Sequence, residues 1–313
     1  MELHHSIDRL PAGLRFVATV GVFDGLHRGH LAVLRGLRRF ATRLGEAAPV
    51  VVTFEPHPDV VLRGAPPPLL CDPAERLARM AEAGMAHAVL QPFDAGFAAQ
   101  SPEAFLRRLA AGRTLAGLVM TPESAFGRDR TGTLEAVEGL SRSMGFQVGR
   151  VAPLESGGER VSSGRIRALV AAGQLAAAAR LLGRRHAVVG QVVRGDSRGR
   201  ALGFPTANLA FAAAVALPPD GIYAVRCSWA GPDPLHPARR ANGVASLGVR
   251  PTFGGGERVL EVFLLDFEGD LYGERLRVEF VRRQRGEHRF RDAAALVAQM
   301  HRDEARARAI LAH

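Results

Sequence analysis

Apolar positions in the first half of the chain alternate between two periods. Residues 16–21 form a largely apolar run of strand length. Over residues 30–44, Val33, Leu34, Leu37, Ala41 and Leu44 recur at helical spacing, and Gly45 stops the pattern. Residues 49–54 give a second, valine-rich strand. Asp72-Pro73-Ala74-Glu75 then combines an acidic N-cap, a proline in the first turn and a glutamate three positions on, with Gly84 as the stop. Further strand-like runs cover residues 87–93, 115–120 and 147–154, with helical patterns starting near Ser101 and Thr133. Strands that alternate with helices predict an α/β domain, a parallel sheet with helices on both faces. Ligands of such sheets sit at the carboxyl ends of the strands.

The pattern changes near Arg184. Residues 188–193, 221–229, 241–247, 259–267 and 275–281 read as strands, several joined by turns rich in glycine or proline, and no long helix separates them before Asp292. This predicts an antiparallel β-barrel with a C-terminal helix. Residues 163–182 look helical and join the halves. The expected domains are therefore residues 1–183 and 184–313. Gly64-Ala65-Pro66-Pro67-Pro68 reads as a short surface loop, and there is no internal repeat.

Composition narrows the class. A chain of 313 residues, 47% hydrophobic, can bury about two sizeable cores and is not disordered. No apolar run reaches the roughly 18 residues of a membrane span, and the N-terminus lacks the pattern of a signal peptide. Cys71 and Cys227 lie far apart and suit reduced thiols of a cytoplasmic protein better than a disulfide or a zinc site. The net charge of +10 favours anionic partners; all 41 basic residues are arginine. They are scattered apart from clusters such as Arg282-Arg283-Gln284-Arg285, and aromatic residues make up only 6%. Phosphate-rich small molecules are thus expected, rather than nucleic acid or a membrane.

Two segments carry chemistry. The first strand runs into Val22-Phe23-Asp24-Gly25-Leu26-His27-Arg28-Gly29-His30, and a helix follows. Gly25 and Gly29 let the backbone approach a phosphate, the helix N-terminus adds free N–H groups, and His27 and His30 can point at one phosphate group. Nucleotidyl transfer needs positioning and charge stabilisation rather than a protein nucleophile, which suits both imidazoles. A chance His-x-x-His or an incidental metal pair fits the bare spacing too. The second segment, residues 190–208, repeats glycine at Gly195, Gly199 and Gly203 before Pro205. Thr206 and Asn208 fall on one face of an extended stretch. A hydroxyl and an amide oxygen there suit Mg2+ once phosphates and water complete the shell. A plain glycine-rich hairpin is the competing reading.

The first segment resembles the HxGH nucleotidyltransferases. With Gly21-Val22-Phe23-Asp24-Gly25, Thr53-Phe54-Glu55-Pro56-His57-Pro58 and Ser162-Ser163-Gly164-Arg165-Ile166-Arg167, it resembles the bacterial bifunctional riboflavin kinase/FMN adenylyltransferases. The string Gly203-Phe204-Pro205-Thr206-Ala207-Asn208 is similar to the riboflavin kinase signature. Gly221-Ile222-Tyr223-Ala224-Val225, Gly248-Val249-Arg250-Pro251-Thr252-Phe253-Gly254-Gly255 and Leu271-Tyr272-Gly273 continue the likeness, which spans about residues 16–311.

The resemblance implies a Rossmann-like nucleotidyltransferase domain followed by a riboflavin kinase barrel. The combined enzyme would phosphorylate riboflavin to FMN and adenylylate FMN to FAD, with ATP as co-substrate and Mg2+ as cofactor, as a cytoplasmic monomer or weak homo-oligomer. It implies ATP contacts from Gly21, Phe23, Asp24, Gly25, Gly29, Ser162, Ser163 and Arg167, and from the glycine-rich loop. It implies flavin contacts from Pro56, His57, Glu123, Phe126, Arg285, Glu287 and Phe290. Glu261 would be the general base for the ribityl 5′-hydroxyl, although alternation alone makes it an outward-facing carboxylate of a strand.

The sequence departs from the family pattern at Glu123, where a shorter polar residue is usual, at Ser124, where an aromatic is usual, and at Gly164, where Ser or Thr is usual. A monofunctional riboflavin kinase with a weakened first half, or a non-catalytic flavin-binding regulator, are the alternative functions.

Overall fold

The computed structural model describes residues 1–195, 203–249 and 258–312. They fold as two units, Met1–Pro67 with Pro73–Ser162 and Pro68–Asp72 with Ser163–His313.

The first unit is built on six strands, β1 (Glu2–His4), β2 (Arg15–Val20), β3 (Ala48–Glu55), β4 (His87–Pro92), β5 (Thr114–Met120) and β6 (Gln147–Arg150). Their order is β1-β4-β3-β2-β5-β6, every neighbouring pair parallel. Helices α1 (Arg28–Arg43), α2 (Pro58–Arg63), α3 (Pro73–Glu82), α4 (Ala95–Ala98), α5 (Pro102–Ala110) and α6 (Leu134–Met144) connect them, and a hairpin of β7 (Glu155–Ser156) and β8 (Glu159–Arg160) follows.

Both faces of the sheet are covered, so its strands are apolar throughout rather than alternating. On β2, Phe16 and Ala18 pack towards Phe105, Leu106 and Leu109 of α5. Val17, one residue out of phase, packs towards Leu34, Leu37 and Phe40 of α1 and Met80 of α3. The chain winds outward from β2, to β3 and β4 on one side and to β5 and β6 on the other. A ligand crevice is expected where this reversal occurs, beyond the carboxyl end of β2. The strand β1 was not expected from the sequence, because three residues are too few to display a period.

In the second unit α7 (Ser163–Ala171) and α8 (Leu175–Leu182) precede a closed barrel of β9 (Ala187–Val193), β10 (Thr206–Ala210), β11 (Gly221–Trp229), β12 (Arg239–Val249), β13 (Arg258–Leu264) and β14 (Arg275–Arg285). All six contacts between strands are antiparallel, including the β9–β10 closure. Alternate residues fill the interior, among them Tyr223, Val225, Leu260, Val262, Val278 and Phe280. The Tyr223 hydroxyl donates to the Pro219 carbonyl, which satisfies its one buried polar atom. Burial pushes the Cys227 thiol up, so it stays protonated and inert.

The C-terminal helix α9 (Ala293–Leu311) lies against the outside of the barrel, with Ala307 and Leu311 beside Ala224 and Leu265. The boundary between units falls at Ser162/Ser163, earlier in the chain than the expected 183/184, so α7 and α8 group with the barrel. The Pro-rich loop ends at Pro68, which also belongs to the barrel unit: Leu69 donates to Ala214 O at 2.8 Å and accepts from Ala216 N at 2.9 Å. Among the described residues, no helix is long and apolar enough to cross a membrane.

Candidate active sites

The turn between β2 and α1 is held in an unusual backbone path. Phe23, Gly25 and Leu26 have φ of 55°, 79° and 35°. Gly25 takes this region without cost, whereas Phe23 and Leu26 must be held there by their buried side chains. The Val22 carbonyl accepts from Thr53 Oγ1 and from Arg76 Nη1, both at 3.0 Å, which pins the turn to β3 and α3. His27 caps α1: its Nδ1 accepts from His30 N at 3.2 Å. The two imidazoles stack with centroids 3.6 Å apart and planes 17° from parallel. Phe23 meets His30 edge-on at 5.2 Å.

Gly29 cannot easily be anything larger, since a Cβ there would lie 3.1 Å from the His27 ring and 3.3 Å from Val161 O. At Gly21 a Cβ would come within 3.2 Å of the Phe23 ring. Asp24 and His27 are buried. His30 Nδ1 is covered and has no hydrogen-bond partner. Burial, followed by the electrostatic influence of the neighbouring His27, Arg160 and Arg76, holds the His30 imidazole well below its ordinary value. It is therefore neutral near pH 7 in this state, an unpaired polar atom at the mouth of a helix N-terminus.

The loop after β5 departs from the family pattern and has its own bonding. Ser124 Oγ accepts from Thr121 N at 3.0 Å and lies 2.9 Å from Thr121 Oγ1, closing a tight turn in place of an aromatic contact. Glu123 Oε2 sits 3.3 Å from Arg160 Nη1, while Arg130 Nη2 reaches only its main-chain carbonyl, at 3.4 Å. The charge partner of Glu123 is thus Arg160, from β8. Phe126 packs edge-on against Phe105 at 5.2 Å, the end of a row that runs through Phe97 and Phe93 to Phe54. Pro56 follows β3, and His57 caps α2 by accepting from Asp59 N at 3.1 Å. Ser162 ends the first unit and Ser163 opens α7 in the second. On that helix Arg167 donates Nε to Pro68 O at 2.8 Å. A Cβ at Gly164 would meet nothing within 4 Å, so the Ser or Thr usual there would fit.

In the barrel unit, strand register assembles the second site. Asn208 of β10 faces Glu261 of β13, and Glu261 faces Ser246 of β12. One step along, Thr206 faces Phe263, which faces Val244. Leu260, Val262 and Leu264 point into the barrel, so Glu261 and Phe263 point out of it. Outward here does not mean into bulk water. The outer face and α9 enclose a cavity of about 420 Å³, lined among others by Thr206, Ser246, Glu261, Phe263, Arg285 and Glu287. Glu261 is thus the outward residue of an alternating strand, and it lines this cavity.

Two glycines of this site are packed against side chains that line it. A Cβ at Gly195 would lie 2.3 Å from Asn208 Nδ2, and one at Gly248 would lie 2.0 Å from Glu287 Oε1. Gly203 has φ of 83° with open space around it, so backbone freedom alone explains it. Arg285 is locked in a fork with Asp303 of α9, its Nε 3.0 Å and its Nη2 2.6 Å from the carboxylate, and it lies 5.9 Å from the Phe290 ring centroid. Gln299 Nε2 supports the same carboxylate at 2.9 Å. Phe204 is buried between Phe263 and His301, at 5.1 and 5.0 Å. Gly199 and residues 250–255 lie outside the described residues. Sequence reasoning missed Ser246, Phe204 and Asp303. Alternation in β12 could have given Ser246, but Asp303 had no signal among the many charges of its helix.

Comparison with known proteins finds two families in tandem along the chain. The riboflavin kinase family model matches residues 182–311, and the FAD synthetase family model matches residues 12–165. The chain is 37% identical over 294 residues to the bifunctional riboflavin kinase/FMN adenylyltransferase of Escherichia coli (strain K12), covering 93% of this chain and 91% of that protein. Identity is also 37% with the protein of the same name from Pseudomonas fluorescens, over 95% of this chain and 93% of that one. A solved structure titled as a macrolide-efflux protein from Streptococcus pneumoniae superposes with a TM-score of 0.83 and 29% identity, covering 98% of each chain. Two family matches in tandem, and relatives aligned nearly end to end, identify this chain as a member of the bifunctional riboflavin kinase/FMN adenylyltransferase family.

Proposed function

We propose that the barrel unit phosphorylates riboflavin to FMN and that the parallel-sheet unit adenylylates FMN to FAD, with ATP as donor in both steps. The observation that carries the reading is the register row Asn208–Glu261–Ser246, of which Glu261 and Ser246, with Thr206 one step along, line a cavity of about 420 Å³. A carboxylate beside a hydroxyl and an amide, with aromatic and aliphatic side chains around them, suits a flavin tail that must lose one proton. Glu261 accepts the proton of the ribityl 5′-hydroxyl as its oxygen attacks the γ-phosphorus of ATP, and ADP leaves. Thr206 and Asn208 supply two oxygen donors on one face, a set that fits Mg2+. The ion would neutralise charge on the phosphates. The glycine-rich loop with Gly195, Gly199, Gly203 and Pro205 would cover those phosphates. Arg285, Glu287 and Phe290 border the flavin end of the cavity, with Arg285 held rigid by Asp303.

In the first unit a phosphate oxygen of FMN attacks the α-phosphorus of ATP and pyrophosphate leaves. No protein nucleophile is needed. His27, His30 and the α1 N-terminus bind the phosphoryl oxygens, and the neutral His30 has a ring nitrogen ready for one of them. Gly21, Phe23, Asp24, Gly25 and Gly29 shape the turn around ATP, and Ser162 adds a phosphate contact. Pro56, His57, Glu123 and Phe126 border FMN. Adenylylation falls to the unit Met1–Pro67 with Pro73–Ser162, and phosphorylation to the unit Pro68–Asp72 with Ser163–His313. The enzyme works in the cytoplasm as a monomer or weak homo-oligomer, without nucleic-acid or membrane partners.

The test is direct. The purified chain is incubated with riboflavin, ATP and Mg2+, and the flavins are separated by chromatography. FMN followed by FAD is the expected result. FMN alone would make this a monofunctional kinase, and flavin binding without turnover would make it a regulator.

A further inference from the structure

The edge strand β1 pairs with β4 in parallel, Glu2 opposite His87 and His4 opposite Val89. Register partners share a face, and so do residues two apart on a strand. Glu2, His4 and His87 therefore project together from one side of the sheet edge. His4 Nε2 lies 3.0 Å from His87 Nδ1. The Glu2 carboxylate approaches both nitrogens, one oxygen 3.8 Å from His4 Nε2 and the other 3.4 Å from His87 Nδ1. One donor atom from each residue falls within a common 4.8 Å.

We propose that Glu2, His4 and His87 form a binding site for a zinc ion that ties the N-terminal strand to the sheet. The spacing supports this. Around a tetrahedral zinc with bonds of about 2.0–2.1 Å, adjacent donor atoms stand roughly 3.3 Å apart. The N–N separation and the two N–O separations, each to a different carboxylate oxygen, lie around that value, and one donor atom from each residue falls within 4.8 Å, so small side-chain adjustments bring the three onto one ion. Two imidazoles and one carboxylate form a three-ligand set, which leaves the fourth position to water. Imidazole nitrogens favour zinc and its neighbours among the transition metals and are poor ligands for Mg2+. The histidines are largely buried while Glu2 is exposed, so two ligands are preset and the third closes over the ion from solvent.

The position also defines the role. His87 is the first residue of β4, whereas the His27–His30 turn follows the last residue of β2 in the same parallel sheet. The triad thus sits at the amino end of the strands, opposite the crevice where ligands of such sheets bind. It can stabilise the unit by favouring the folded state, and it takes no part in transfer of the adenylyl group.

The experiment uses the full-length chain after chelator treatment. Zinc is titrated calorimetrically, Co2+ is added as a spectroscopic probe, and thermal unfolding is followed with and without zinc. The wild type should bind one ion at this site, give the visible spectrum of four-coordinate Co2+, and unfold at a higher temperature with zinc. Excess Mg2+ should not displace the ion. His4→Gln and His87→Gln should each lose the binding and the thermal shift while synthesising FAD at the wild-type rate at moderate temperature. Glu2→Gln, an exposed change that leaves the fold intact, should weaken binding and alter the Co2+ spectrum. Zinc affinity unchanged in these variants, zinc binding that disappears instead with His27→Gln and His30→Gln, or no binding by the wild type would each overturn the proposal.

Discussion

The two candidate sites are built by different means. In the barrel, the row Asn208–Glu261–Ser246 follows from antiparallel register, in which each side chain is held by two neighbouring strands. In the parallel-sheet unit, the His27–His30 pair depends on one turn with three residues at positive φ and on a cap that one imidazole gives to the other's backbone. A registered site tolerates little change, because a single shift of strand register turns every side chain away. A turn site can be altered around its edges and repaired locally. The departures from the family pattern follow this difference. They occur at Glu123, Ser124 and Gly164, and the structure supplies Arg160, Thr121 and open space respectively. The described kinase motif has no such substitutions.

The comparison can be broken by separating the activities. The largest effect is expected for Glu261→Ala. FMN formation should fall by about 10²–10⁴-fold, as for other positioned bases. FAD formation from supplied FMN should be unchanged, and chromatography of both products checks it. Normal kinase turnover would remove Glu261 from the mechanism. His27→Ala with His30→Ala should give the mirror result, a collapse of FAD synthesis with FMN synthesis near its starting rate. If both rates fell together in a folded double variant, the sites would not be independent.

Gly195→Ala tests whether the glycine-rich loop is steric. Its Cβ would enter the space of Asn208 Nδ2, at 2.3 Å. The Asn208 amide must then move, so the kinase Michaelis constant for ATP should rise and the FAD step should not respond. An unchanged kinase would show that the loop has room.

A smaller effect concerns pH. In the unfolded chain His30 takes up a proton near the ordinary imidazole value of about 6.5. In the fold, burial first and nearby positive charge second hold it well below its ordinary value. Between those two values the unfolded chain binds more protons, so stability rises with pH and is lost as pH falls below about 6.5. The slope from one such group is at most about 1.4 kcal/mol per pH unit. His87, lowered chiefly by burial, contributes in the same sense in metal-free buffer. Denaturant titrations at several pH values should therefore show a shallower acid loss in His30→Gln than in the wild type. Parallel curves would mean that His30 is charged in the fold. The smallest effect is expected for Gly164→Ser in the first turn of α7. It should stabilise the chain by a few tenths of a kcal/mol through helix propensity, read as a higher midpoint, because nothing lies within 4 Å of the added Cβ. A lower midpoint would reveal a contact there.

Much of this architecture was legible in the sequence, for physical reasons that also explain the gaps. Apolar runs long enough to show a period announced β2, β3, α1 and most barrel strands. Gly25, Gly29 and Gly195 were legible because a left-handed turn at the first, and close packing at the other two, favour a residue without a side chain. The strand β1 was too short to read, and with it His4 and His87 gave no sign of meeting, since 83 residues separate them. The Arg285–Asp303 fork was equally hidden, because a charge on a solvated-looking helix acquires meaning only when the helix is docked. Nor could the sequence tell that the face bearing Glu261 is roofed by α9, which is what converts an ordinary outward carboxylate into the wall of a cavity.

The central claim is that two independent sites act in succession through a released intermediate. Mixing the two loss-of-function variants tests it most directly. Glu261→Ala, given riboflavin, ATP and Mg2+, should make neither product, and His27→Ala with His30→Ala should stop at FMN. Combined in one vessel, they should produce FAD, because FMN made by the second variant's barrel is adenylylated by the first variant's intact turn. FAD absent from the mixture, with each variant folded and its remaining activity intact, would contradict the account.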